Sequence, residues 1–552
     1  MRSFLKLIHR QKGFLIPFIF ITVSIYSVIL LAPIRQAFEY DPDEGTALIK
    51  TQLYLQGFSL YKEIWDDQPP LLTVILSYCF KLFSPSIYNA RILILIFSAI
   101  LLWTLYLIIK RLNGAICALI ATVFLILSTN FLRLSISVMP GIPSLSFAIL
   151  SIYCIIRYKK IAKQTPGEIS KFPLYHNKYH LRLFLILSGI CMAVSLQIKL
   201  ITAFLIPIIL LETFFIKKTT PIAEKQKKGF FYPVVFWLIG FIAVNLIIII
   251  IFFRFNVSLF FNQLFEPHLT RLELERNNFT VISRFLFNDY DITLLALTHT
   301  ISAAQKRKKR LYLPLFWLIT IFFFLFIHRP LWDHYYTLIA IPLCWLAAIH
   351  CKDFINTIVG KNPCNKKSFL HWLTASLVIL TIIRLPIKYH SALESINTGT
   401  TVEERKLINL LRARKNNTRW LITDRPIFAF YSGILVPPEL ALISNKRILA
   451  RHFTENYLSG LIAKYKPEQI LLTRFKVYGD KLLIFIKQDY TKIYQGKLYN
   501  RIWIPLYIQY NNKQITINKQ RWQYKLPSIQ GGRSYTSSGK DALLYLRNNV
   551  PQ

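Results

Sequence analysis

The sequence predicts a polytopic α-helical membrane protein with a small α/β domain at its C-terminal end. Two observations carry that prediction. Apolar runs of about 15 to 25 residues recur as far as residue 386, and a bilayer core takes roughly 20 such residues per helix. The chain then turns polar and alternates helical with strand-like spacing. Composition agrees: 54% of the 552 residues are hydrophobic and 17% charged, where a soluble protein averages about a quarter charged.

Taken in order, about 11 spans are predicted, near 14–33, 87–109, 115–130, 136–157, 181–197, 200–216, 230–253, 291–304, 311–328, 333–350 and 369–386. The basic start "MRSFLKLIHRQKG" stays inside. The long apolar run after it lacks a small-residue cleavage site and reads as an uncleaved first span. "LLTVILSYCFKLF" at 71 is too short to cross and reads as an interfacial or re-entrant helix. "DITLLALTHTISAA" at 291 is also short and carries Asp291 and His299; it is read as crossing, and every later segment would change sides if it did not. Five basic stretches, "KRLNG" at 110, "YKKIAKQTPGEISKFPLYHNKYHLR" at 158, "KKTTPIAEKQKK" at 217, "KRKKR" at 306 and "CKDFINTIVGKNPCNKK" at 351, then fall on the side of the N-terminus, as cytoplasmic loops do. Topology thus accounts for much of the net charge of +40, and no nucleic-acid partner is implied. The seven cysteines all precede residue 365 and show neither metal-ligand nor redox spacing.

The opposite side carries the loop 34–70, which holds seven of the 27 acidic residues: Glu39, Asp41, Asp43, Glu44, Glu63, Asp66 and Asp67. Asp43 and Glu44 open a predicted helix running to about Gln56. An aspartate with the usual pKa near ~3.9 is ionised and ready to accept a proton; the plainer alternative is an Asp that caps the helix beside a solvated neighbour. "DDQPPL" sets Asp66, Asp67 and Gln68 before a rigid Pro-Pro entry into the interfacial helix, the alternative being a loop that simply turns back to the membrane. These carboxylates with Gln68 form a possible site for a divalent cation. The spans are nearly free of ionisable residues, whereas an ion-coupled transporter needs such groups within the membrane. Polar chemistry gathered at one interface points to an enzyme working at the membrane surface.

"DPDEG" (41–45) and "DDQPPLL" (66–72), outside a first span, resemble the first loop of the dolichyl-phosphate-mannose–protein mannosyltransferase superfamily, which includes the lipid A aminoarabinose transferases. "SGICMAVSLQIKLITAFLIPIILL" at 188–211 is similar to the family's Gly-to-Lys segment, with Lys199 at the outer turn. "HRPLWDHYYTLIAIPL" at 328–343 is similar to the outer turn before a Tyr and a Pro-bearing span, and "WLITDRPIFAFYSGILVPPELALISNKRI" at 420–448 resembles bacterial members. The resemblance implies the GT-C glycosyltransferase fold, a polyprenyl-phosphate-linked sugar as donor, Asp43 as general base and Glu44 as its partner in orienting the acceptor. A sugar on a lipid phosphate has a good leaving group, so attack mainly needs a positioned carboxylate, and attack opposite the phosphate inverts the anomeric centre. The phosphate needs cations, for which Lys199, Arg329 and His334 are candidates, with Tyr335 alongside and Arg133 on a similar turn. The plainer readings are a snorkelling Lys199 and interfacial anchors beside Trp332.

From about residue 398, "EERKLINLLRARKN" has helical spacing, "RWLITD" reads as a strand, "NYLSGLIAKYKPEQILLTRF" as helix then strand, and "KLLIFIKQDYTKIYQ" and "RIWIPLYIQY" as further strands. This divides the chain into a membrane part, 1–397, and an α/β domain, 398–552, with a flexible tail near 529–540. The domain lacks a Gly-rich phosphate loop, a metal cluster and a nucleophile constellation, and is expected to act as a stabilising cap; docking on the outer loops or on a glycan is the alternative. The expected function is an integral membrane glycosyltransferase of the inner or plasma membrane, surrounded by membrane lipids. It would move a sugar to a hydroxyl of a lipid, glycan or protein acceptor, with its catalytic loops and C-terminal domain extracytoplasmic. A lipid-linked-sugar transporter or flippase, or a non-catalytic membrane assembly protein, are the alternatives.

Overall fold

The computed structural model describes residues 2–162, 178–214, 232–254, 256–264, 266, 277–305, 312–359, 369–397, 399–443, 447, 453–473, 479–498 and 540–547. Each of the eleven predicted spans contains a helix among the described residues. Helix α1 (Arg2–Leu31) leads into the acidic loop, inside which α2 (Asp43–Leu55) forms, and α3 (Leu71–Phe83) follows it. Then come α4 (Ile87–Asn113), α5 (Ala115–Ile126), a short α6 (Phe131–Ile136), α7 (Gly141–Ala162) and α8 (Lys178–Ile198). A 3-10 segment at Leu200–Leu205 runs into α9 (Ile206–Phe214), and α10 (Tyr232–Ile248) ends in a π-helical turn at Ile249–Phe253. After α11 (Val257–Leu264) and α12 (Asn278–Asn288), the bundle is completed by α13 (Tyr290–Gln305), α14 (Tyr312–Ile327), α15 (Tyr336–Ile358) and α16 (Phe369–Ile396). Among the described residues six helices are long and apolar enough to cross a membrane. The 13 residues of α3 rise only about 20 Å, which suits an interfacial helix better than a span.

Local chemistry sets these boundaries. At the start of α4 the Ser86 hydroxyl accepts the Asn89 N–H at 3.0 Å. At its end Lys110 and Arg111 sit in the last turn, and Gly114 takes φ +98°, a conformation open to residues without a Cβ. Small residues seam α7, α8 and α10 together. The Ser151 and Ser188 hydroxyls lie 2.8 Å apart, and Ser195 donates to the Ser144 carbonyl at 2.7 Å. Where α8 crosses α10, a Cβ on Gly189 would stand 2.0 Å from the Trp237 carbonyl oxygen, and one on Gly240 would stand 2.2 Å from that of Ile186. Backbones this close leave no room for a methyl group, the usual way helices associate where lipid removes the hydrophobic driving force. Gly240→Ala is therefore expected to destabilise the full chain by about 1–3 kcal/mol or more, read as a lowered unfolding temperature in detergent.

Helix α13, whose crossing the sequence left open, runs alongside α15 in the same direction. Asp289, just before α13, accepts the Tyr336 hydroxyl at the start of α15, and His299 lies 3.4 Å from His350 further along both helices. The start of α13 is tied down by charge. Lys388 of α16 reaches Asp289 at 2.9 Å and Asp291 at 2.8 Å, Arg384 reaches Asp291 at 2.6 Å, and the Thr129 N–H donates to Asp289 at 2.9 Å. Two carboxylates against two cations leave the group neutral, which is how buried charge is held in a membrane protein.

The polar end of the chain folds around a four-stranded sheet of order β1-β2-β4-β3. Helix α17 (Val402–Ala413) opens with a capping box, Thr401 and Glu404 satisfying each other's backbone N–H. Strand β1 (Leu421–Thr423), α18 (Pro426–Ser432), α19 (Glu455–Tyr465) and β2 (Gln469–Leu472) follow, with β1 and β2 parallel. The stretch expected as one strand, "KLLIFIKQDYTKIYQ", is instead α20 (Gly479–Asp489) followed by β3 (Tyr490–Leu498). Leu482 and Ile486, one helical turn apart, are both buried in the domain's core while Ile484 between them is exposed, so the four-residue period overrides the β-branched composition. Strand β4 (Lys540–Arg547) was not anticipated; it enters the sheet antiparallel to both β2 and β3. The expected strand "RIWIPLYIQY" and positions 529–539 of the expected tail lie outside the described residues, and Lys540, the last tail position, begins β4.

Candidate functional site

The acidic loop folds around two buried ion pairs. Glu44 is 0% exposed and its two oxygens are fully engaged. Oε2 accepts from Arg91 Nη2 and the Tyr40 N–H, each at 2.7 Å; Oε1 accepts from Arg91 Nε at 3.2 Å and the Val138 N–H at 2.8 Å. Arg91, itself 0% exposed, also donates from Nη1 to the carbonyls of Ile34 and Ala37 and stacks 4.4 Å over the Tyr40 ring. The resemblance implies that Glu44 orients an acceptor. The structure places it instead beneath the loop, joining α2 to α4 and to the chain before α7. The second pair is Lys50 of α2 with Asp66, both carboxylate oxygens at 2.8 Å from Nζ. Asp66 also accepts the Gln68 N–H at 3.0 Å, so it shapes the turn into Pro69 and Pro70.

Asp43 stands apart from these. It is the first residue of α2, yet the capping bond there belongs to Asp41, whose Oδ1 accepts the Asp43 N–H at 3.2 Å. Asp41 is held in turn by Arg133, at 3.3 Å from Oδ2, and the same Arg133 nitrogen donates to the Tyr40 carbonyl. The Asp43 carboxylate accepts no hydrogen bond among the described residues and keeps an outer face open to solvent. Protein crowds its other sides. That desolvation raises its pKa, as do the charges of Asp41 and Asp67, while Lys199 and Lys50 lower it, and the balance lies at about 7.

Lys199 lies between α8 and the 3-10 segment, 8% exposed, with its ammonium 4.9 Å over the Tyr335 ring. Burial lowers its pKa to about 8, opposed by Asp43, Asp41 and Asp67, so these four charges share one recess. One cleft is lined by Lys199, His334 and Tyr335 together with Met139, Ser144 and Thr337. His334 packs edge-on against Tyr335 at 4.6 Å, and the Tyr335 hydroxyl lies 3.3 Å from His328. Asp67 is 6% exposed and accepts from the Gln68 side-chain amide at 3.3 Å, and Tyr61 donates to the Gln68 carbonyl at 2.8 Å.

The structure therefore gathers Asp43, Asp67, Lys199, His334 and Tyr335 with Arg133, and sets Gln68 at the edge. It does not bring in Arg329, which is exposed on its turn and makes no bond to this group among the described residues. Nor does any group of three His, Cys, Asp or Glu side chains among the described residues stand close enough to hold a metal ion, since Asp66 is turned to Lys50. Arg91 and Lys50 escaped the sequence reading, although each carries a signal: one cation in the first turns of an apolar span, the other among the apolar residues of an amphipathic helix. Either position demands a buried counter-ion.

Comparisons with known proteins bear on this geometry. A family model described as dolichyl-phosphate-mannose-protein mannosyltransferase matches residues 67–249. No curated protein matches the chain in sequence. Among solved structures, ArnT from Cupriavidus metallidurans bound to undecaprenyl phosphate is similar at 11% identity and a TM-score of 0.58, covering 97% of this chain and 99% of that one. The same protein in the apo state covers 85% of this chain and 94% of that one, at 12% identity and a TM-score of 0.54. AglB, the archaeal oligosaccharyltransferase from Archaeoglobus fulgidus, solved with an inhibitory peptide and a dolichol-phosphate, is similar at 13% identity and a TM-score of 0.50, covering 83% of this chain and 69% of that one. The chain has the GT-C fold, a polytopic helical membrane part with a small C-terminal α/β domain.

Proposed function

We propose that the protein is a membrane glycosyltransferase that moves a sugar from a polyprenyl-phosphate carrier to an acceptor hydroxyl, with Asp43 as general base. One observation carries this reading. Asp41, Glu44 and Asp66 are each bound to a cation, whereas Asp43 is left open to solvent with its pKa near 7. A base works best when it is ionised at the working pH and still binds a proton well, which is that condition. In the step, Asp43 takes the acceptor O–H proton as that oxygen bonds the anomeric carbon. The bond from that carbon to the carrier phosphate oxygen breaks, and the electron pair leaves with the phosphate. Lys199 and Arg133 meet the phosphate charge, with His334 and Tyr335 beside it. Attack opposite the phosphate inverts the centre. Glu44 acts only by position, through Arg91 and the loop.

The lipid phosphates in the ArnT and AglB structures support a lipid-phosphate donor here, and the family match supports glycosyl transfer. The acceptor is a hydroxyl of a lipid, glycan or protein. The segregation of the basic loops from this recess supports an extracytoplasmic site. The transporter reading is weaker because the ionisable groups found between the helices at Asp289, Asp291, Arg384 and Lys388 pair with one another.

The test uses the full chain in proteoliposomes with a panel of radiolabelled polyprenyl-phosphate sugars and a native membrane extract as acceptor. Label should leave the carrier with wild type and stay on it with Asp43→Asn. Movement of labelled carrier between leaflets without transfer would place the protein among transporters. Lys199→Gln is expected to raise the donor KM by about tenfold or more, one charge-assisted contact being worth about 1.5–3 kcal/mol.

A further inference from the structure

The α/β domain grips the loop that carries the carboxylates of the recess. Phe38 lies between the rings of Phe428 and Tyr431 of α18, at 4.8 and 5.6 Å, with the Arg425 guanidinium 5.2 Å over it. The Tyr431 hydroxyl donates to the carbonyls of Ala37 and Phe38 at 2.8 and 3.0 Å, and Arg425 forms an ion pair with Glu39. Behind them, Gly45 of α2 lets α18 approach so closely that a Cβ there would stand 2.5 Å from the Ile427 backbone nitrogen. The far half of the loop is held as well. Arg447 donates to the carbonyls of Glu439 and Leu442 and lays its guanidinium 4.4 Å over Trp65, the residue before Asp66. Trp420 meets Phe58 at 6.2 Å.

These contacts bracket the catalytic segment. The chain passes from the gripped residues 37–39 to Tyr40 and Asp41, whose groups bind Glu44, Arg133 and the Asp43 N–H. We infer that α18 and Arg447 are positioning elements of the transfer site: the α/β domain fixes the shape of the first loop and thereby sets the place and the proton affinity of Asp43. Three features distinguish this from a cap that merely covers apolar surface. The grip is directional, through backbone carbonyls and an ion pair. It falls on both halves of one loop. And it stands within a few residues of Asp43, whose carboxylate is open to solvent. The inference rests on Asp43 acting as the base.

The experiment compares wild type, Tyr431→Phe, Arg425→Glu and the reversal Arg425→Glu with Glu39→Arg, as full chains in nanodiscs. Amide hydrogen exchange is the first readout and needs no activity. Exchange across 37–45 should quicken about tenfold in Tyr431→Phe and Arg425→Glu, the effect of losing one hydrogen bond or ion pair, with the amides of α4 and α15 unchanged. The charge reversal should restore it. Transfer is the second readout: kcat should fall about tenfold in Tyr431→Phe with the donor KM within about twofold, and the acid limb of the pH profile should move from its wild-type position. Unchanged exchange across 37–45, or lost transfer with an unmoved pH profile, would overturn the inference. If wild type transfers nothing, the base assignment fails, while the exchange readout still decides whether the domain orders the loop.

Discussion

Asp43→Asn should reduce transfer by about 10²–10⁴-fold while leaving donor affinity within about twofold, because a general base contributes that much to a proton-transfer step and the amide keeps the side chain's size. The pH profile makes the expectation specific. Asp43 must be deprotonated to act, so the rate climbs as pH rises through about 7. Lys199 must be protonated to meet the phosphate, so the rate declines as pH rises through about 8. The product is a narrow bell with its maximum between these limbs. Each group lies in the other's field, so the limbs belong to the pair. Removing the cation in Lys199→Gln should abolish the alkaline limb and push the acid limb upward, since Lys199 favours the ionised carboxylate. Asp43→Asn should abolish the acid limb instead. Initial rates across pH 5–10 at a donor concentration well below KM, which report kcat/KM and so the groups of the free protein, decide the matter. If Asp43→Asn keeps wild-type transfer with the acid limb intact, the base is another carboxylate of the recess, and Asp67 is the one the geometry offers.

How much of this could be read in advance follows from the range of each interaction. The spans were legible because apolar runs declare themselves locally. The start of α2 at Asp43 was legible from the polar stretch that separates a span from an amphipathic helix. The freedom of Asp43 from capping was not, since Asp41 takes that bond by an accident of turn geometry two residues away. The partner of Glu44 lies 47 residues on, and the residue against Gly45 belongs to the other domain, at Ile427. No local pattern names such pairs. The same holds for β4, whose strand identity depends on β2 and β3 accepting it. Helix α20 was misread for a different reason: its composition favours a strand, and only burial at Leu482 and Ile486 shows which period prevailed.

Glu44→Gln should destabilise the folded chain by about 3–5 kcal/mol, because it leaves the Arg91 guanidinium buried with no charge to meet it. The amide cannot replace the carboxylate by geometry either. Each Glu44 oxygen accepts one bond from Arg91 and one from a backbone N–H, so whichever way the amide is turned, its NH₂ faces two donors. Arg91→Met should be about as damaging for the mirror reason. The double variant should recover part of the loss, because neither buried charge then remains; the coupling from that cycle measures the pair itself. Thermal unfolding of the full chains in nanodiscs gives these values. The same experiment separates two roles for Glu44. A residue that holds the loop lowers stability, and the fraction still folded transfers with the wild-type pH profile. A residue that orients the acceptor would lose transfer at undiminished stability. The four bonds on its two oxygens favour the first outcome. The second would require Arg91 to release the carboxylate during turnover, and hydrogen exchange in the first turn of α4 would then rise when donor and acceptor are added.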